Sequence, residues 1–102
     1  MSVEVTGIAW YRKEDYDRLM AMFTDREKLP ATYEDWLAQA QTVMVTLTGR
    51  GLLLEKSYID PETFPQWCAE KGLEMVASAR THYAAELAQK KFEEKKTRKL
   101  SI

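Results

Sequence analysis

Cysteine and histidine occur once each in 102 residues, as Cys68 and His82. A lone cysteine cannot close an intramolecular disulfide, and it suits a reducing compartment. Together the pair falls short of the several nitrogen and sulfur ligands that a zinc site draws from one chain. No stretch approaches the roughly 18 apolar residues that span a bilayer. The start, Met-Ser-Val-Glu-Val-Thr, lacks both the basic and the long apolar region of a secretory leader. The expected location is therefore the cytoplasm, with no membrane partner. Phosphate-loop signatures are missing too. Gly49-Arg50-Gly51 follows a helical pattern, whereas such loops set their glycines between a strand and a helix. The many acids show no calcium-loop spacing, and most fall at helix starts, where they offset the macrodipole. Neither an internal repeat nor a low-complexity linker breaks the chain. No cofactor is expected.

What is present is an ordinary globular composition, 45% hydrophobic and 30% charged, with a net charge of −1. Its length suits one domain. The charge is unevenly spread, since residues 89–102 carry a net +4 and the preceding 88 residues −5. That divides the chain into a compact domain over 1–88 and a basic helical extension over 89–102.

The stretch from Thr32 to Lys56 organises the rest. Thr32 is a good N-cap, and Asp35 stands where an acid can return the bond. Trp36, Ala40, Val43 and Leu47 make one helical stripe with Met44 beside it. Gly49 is placed for a left-handed cap, and Gly51 frees the turn into a strand over Leu52–Ile59. Before this stretch, Val3–Tyr11 reads as a strand with an irregularity at Gly7. Tyr16, Leu19, Met20 and Phe23 give a helix over Glu14–Phe23. After it, Asp60-Pro61-Glu62 opens a short helix that Gly72 closes. A last helix begins between Val76 and Ser78, and its stripe uses Val76, Ala79 or Arg80, Tyr83 and Leu87. Phe92 lies about 140° around that helix from Leu87, so one narrow face cannot bury both.

The expected fold is α+β and mostly helical, in the order β-α-α-β-α-α, with four helices and a small two-stranded sheet. Two connecting helices of similar length return the chain to the end where it left, so the sheet should be antiparallel. Its two edges are open to another copy or to a covering helix.

Trp10-Tyr11-Arg12, Leu29-Pro30, Tyr33, Trp36, Ile59-Asp60-Pro61, Phe64, Trp67-Cys68, Gly72, Arg80 and Tyr83 form a pattern spread over most of Trp10–Tyr83. On these residues the chain resembles a group of small bacterial proteins, about a hundred residues long, of unknown function. The resemblance implies a bacterial cytosolic protein and carries no activity, cofactor or catalytic residue.

An aromatic-rich domain with open strand edges and few catalytic groups points first to a non-enzymatic interaction module. Its partner is a second copy, as a homodimer, or another protein. Arg12, Arg80, Tyr83, Phe92, Lys95, Lys96, Arg98 and Lys99 are the candidate contact residues, because tyrosine, tryptophan and arginine are enriched at interface hot spots. Nucleic acid held by the basic C-terminal helix is the alternative. An enzyme using Cys68 with His82 as its base is the weaker one, since a cysteine on the apolar side of a helix behaves as a small hydrophobe.

Overall fold

The structure, a computed structural model, describes the backbone of residues 5–100 and the side chains of residues 5–94. Strand β1 (Thr6–Trp10) leads to α1 (Lys13–Met22), a 3-10 turn (Arg26–Lys28) and α2 (Tyr33–Gly49). Strand β2 (Leu54–Tyr58), α3 (Thr63–Lys71) and α4 (Ala77–Leu100) follow. This is the expected α+β order, with four helices and a two-stranded sheet. The sheet, however, is parallel, with Thr6 opposite Leu54 and Trp10 opposite Tyr58.

Unequal helices explain the direction. α1 has 10 residues and α2 has 17, about 15 and 25 Å at ~1.5 Å per residue. Aromatic rings hold both helices at the same end of the sheet. Tyr16 of α1 lies 6.0 Å from Tyr11, and Trp36 in the first turn of α2 lies 4.7 Å from Tyr11 and 5.1 Å from Trp10. The α1 segment is thus a lateral excursion from the C-terminal end of β1, and α2 alone travels back along the sheet. It delivers the chain to the other end, where the Thr6 N–H donates to the Leu53 carbonyl at 2.8 Å. β2 then starts beside the start of β1.

Local signals set the element ends. Thr32 Oγ1 accepts from the Asp35 N–H at 3.2 Å, satisfying one of the orphan donors of α2. At the other end of α2 the left-handed residue is Gly51 (φ 87°), not Gly49. The Leu52 N–H reaches the Leu47 carbonyl and the Gly51 N–H the Thr48 carbonyl, which is a Schellman motif with glycine at its required place. Gly72 (φ 68°) closes α3 in the same way. Asp60 Oδ1 accepts from the N–H groups of Glu62 and Thr63 at 2.7 and 3.3 Å, so its side chain caps α3 as expected.

α4 packs across one face of the sheet, chiefly over β1. The approach is close because the facing residues are small. A Cβ on Gly7 would come within 2.7 Å of the Ala84 carbonyl carbon and 2.9 Å of Ala88 Cβ. The ladder passes through Gly7 in unbroken register, so the glycine marks this approach and no irregularity of the strand. Beside it, the buried Ser57 hydroxyl donates to the Ala84 carbonyl at 2.9 Å. The opposite face of the sheet takes Trp10 against Trp36 of α2. No helix among the described residues is long and apolar enough to cross a membrane.

Candidate functional site

Most aromatic side chains turn inward. Trp10, Tyr11, Tyr16, Phe23, Trp36, Phe64 and Tyr83 are buried, and their rings meet edge-on or tilted at 4.7 to 6.1 Å. Such pairs stabilise a core through area and quadrupole together. An aromatic contact surface is therefore not what this fold presents.

Against the aromatic core sits a buried ion pair. Asp25, in the loop after α1, receives Arg80 Nη1 at 2.8 Å and Nη2 at 2.9 Å, one nitrogen on each carboxylate oxygen. Its Oδ2 also accepts from the Ala77 N–H at 3.1 Å, so Asp25 caps α4 from across the fold. The Arg80 guanidinium lies 4.4 Å over the Phe23 ring. Hydrogen bonds from Arg80 hold the Asp25 carboxyl below the usual carboxylate range. Burial works against the charge on Arg80, but its bonds to Asp25 and the neighbouring Tyr11 hydroxyl together outweigh this and raise its pKa. Burial pushes the neighbouring Tyr11 hydroxyl up to about 12. Every charge here is answered within the chain, which makes Arg80 a core residue and removes it from any contact surface.

A shallow cleft of about 420 Å³ lies between α3 and α4, lined by Trp67, Tyr83, Leu87 and Glu86 among others. The Trp67 indole N–H donates to Glu86 Oε2 at 2.9 Å. Lys71 and His82 approach the same carboxylate at 4.0 and 3.7 Å. The Tyr83 hydroxyl shares a 2.7 Å hydrogen bond with Thr63, so Tyr83, too, is spent inside the fold. These groups satisfy one another and tie α3 to α4. Cys68 is buried, with its thiol pKa raised by desolvation, which opposes thiolate formation. His82 is exposed on α4, and its close neighbours are Glu86 and Trp67. The structure does not join these two as nucleophile and base. No group of residues among those described could hold a metal ion.

Of the remaining candidates, Arg12 lies on the surface. Arg12 pairs with Asp15 at 3.8 Å and lies 4.8 Å over the Tyr58 ring. Phe92 is half-buried on α4. Lys95, Lys96, Arg98 and Lys99 belong to the α4 backbone, and their side chains lie outside the described residues.

Among the described residues a different surface stands open at the β2 edge. The bonds from Thr6 N–H to Leu53 and from Ile59 N–H to Trp10 fix the ladder's parity. The main-chain groups of Leu54, Lys56 and Tyr58 consequently point away from β1. No hydrogen bond among the described residues reaches them there. Immediately before the strand, Leu52 and Leu53 are 43% and 48% exposed, and Val43 on α2 is 48% exposed. α2 is about 25 Å long against ~17 Å for a five-residue strand, so its last turns overrun the body and leave these side chains uncovered. In the sequence, Leu52 and Leu53 look like buried strand positions.

A family model matches residues 4–95 of the chain. The chain belongs to the family described as Domain of unknown function (DUF8829). The match takes in every element from β1 onward and α4 as far as residue 95. It thus spans the core ion pair, the α3–α4 cleft and the open β2 edge. No curated protein and no solved structure matches the chain.

Proposed function

We propose that this member of the family is a non-enzymatic interaction domain that associates with a second copy of itself. The observation that carries the reading is the open β2 edge beside the exposed Leu52 and Leu53. A two-stranded sheet is marginal alone and gains from further strands. An uncovered edge with apolar residues at its start is a template for another chain. Cys68, buried and held as a thiol, lends no weight to an enzymatic role. The reading keeps the cytoplasm as compartment, where a lone thiol stays reduced. The test is solution mass by size-exclusion chromatography with light scattering over a concentration series. A dimer that persists at high salt supports the reading, and a monomer at every concentration rejects it.

A second reading draws on α4, whose 24 residues extend about 36 Å, well past the sheet. Its C-terminal part is the basic segment, and nucleic acid would be its partner. Binding should then fall steeply with salt and vanish when residues 89–102 are deleted. Unchanged binding after the deletion rejects the tail as the contact.

A further inference from the structure

We infer that two copies join by antiparallel pairing of their β2 edges about a two-fold axis at Leu54, making one four-stranded sheet in the order β1-β2-β2-β1. This assignment rests on the self-association reading above and specifies its contact.

Symmetry narrows the choices. A two-fold interface sets the same edge against itself, so β2 meets β2 antiparallel. The main-chain groups free to bond are those of Leu54, Lys56 and Tyr58, and the axis must bring outward-facing residues opposite one another. An axis at Lys56 sets two ammonium groups face to face, which is destabilising. An axis midway between Leu54 and Lys56 sets the two Glu55 side chains opposite one another, again like charges, and an axis at Ser57 or Tyr58 leaves Leu52 and Leu53 outside the paired strands. With the axis at Leu54, leucine meets leucine at the centre. Leu53 then lies opposite Glu55 of the partner strand and Leu52 opposite Lys56, so the exposed leucines of both copies gather around the axis.

The surroundings leave room for this arrangement. α4 covers a face of the sheet, chiefly over β1, and no hydrogen bond among the described residues reaches the outer main-chain groups of β2. Lys56, the residue type that usually guards an edge, folds back with its ammonium 4.4 Å over the Trp10 ring. Among the described residues the β1 edge lacks the exposed leucines that precede β2, since Gly7, Ile8 and Ala9 are all half-buried.

Cysteine cross-linking tests the register. In a Cys68→Ala background, Leu54→Cys should form a disulfide-linked dimer under mild oxidation. Hydrogen-bonded antiparallel pairs stand about 5.5 Å apart at Cα, within disulfide reach. Lys56→Cys should not link to itself, because this register separates the two positions by about 14 Å. Leu53→Asp, at a site already half open, should keep the melting temperature and weaken the dimer roughly tenfold or more, the scale of one buried leucine. A wild-type dimer in which Lys56→Cys links, or in which neither cysteine links and Leu53→Asp has no effect, overturns this register and places the interface elsewhere. A wild-type monomer overturns the self-association reading itself.

Discussion

Arg80 and Asp25 stand 55 residues apart in the chain and meet in a bidentate pair with both nitrogen–oxygen distances under 3 Å, at 2.8 and 2.9 Å. The pair joins the loop after α1 to the first turn of α4, and the same carboxylate caps that helix through Ala77. It fastens the lateral excursion of α1 to the helix that carries the sheet.

Removing one partner should leave the other as an uncompensated buried charge. Asp25→Ala and Arg80→Ala are each expected to lose about 3–5 kcal/mol of stability in urea unfolding. The double variant Asp25→Leu/Arg80→Met should recover most of that. It should still fall short of wild type by about 1 kcal/mol, because the cap on Ala77 is gone.

The same site sets an acid limit. The folded-state pKa of Asp25 lies below its unfolded value, so its contribution is complete above about pH 4 and disappears as pH falls through the folded value. Acid titrations of wild type and Asp25→Asn, followed by circular dichroism, should show the stability gap between them closing below about pH 4.

Tyr11 sets an alkaline limit of opposite sense. Its hydroxyl pKa is raised by burial to about 12, so its contribution is intact below about pH 10 and is lost as pH rises through the folded value. Relative to Tyr11→Phe, wild type should lose roughly 1 kcal/mol by about pH 11, read from urea midpoints at neutral and alkaline pH.

Gly7→Ala tests the approach of α4 to the sheet. The added methyl meets the Ala84 backbone, which cannot swing aside as a side chain would. Overpacking of this kind should cost about 3 kcal/mol or more. The melting temperature should fall by more than about 10 °C, and a smaller change would mean that α4 yields.

Cys68 should behave as a core residue. Its labelling by a thiol reagent is expected to be at least ~100-fold slower in the folded protein than in urea, since the side chain must first be uncovered. Fast labelling of the folded protein would revive a nucleophilic role for this thiol.

Short stretches of chain settle part of this fold on their own. Thr32 and Asp60 cap helices through atoms two or three residues away, Gly72 ends α3 in the left-handed region, and the stripe of Tyr16, Leu19 and Phe23 buries one helix face. Each depends on a turn or so of chain, and there residue type and spacing are enough. The four helices and two strands follow from such signals. Strand direction does not, because it depends on whether α1 spans the sheet, and the packing of Tyr11, Tyr16 and Trp36 decides that. Gly7 reads locally as a flaw in a strand, yet it is the point where α4 comes closest. Arg80 reads as a surface contact until Asp25 is folded against it. The open β2 edge, too, follows from the sheet stopping at two strands, with Leu52 and Leu53 exposed beside it. These features join residues separated by tens of positions, and only the folded chain brings them within interaction distance.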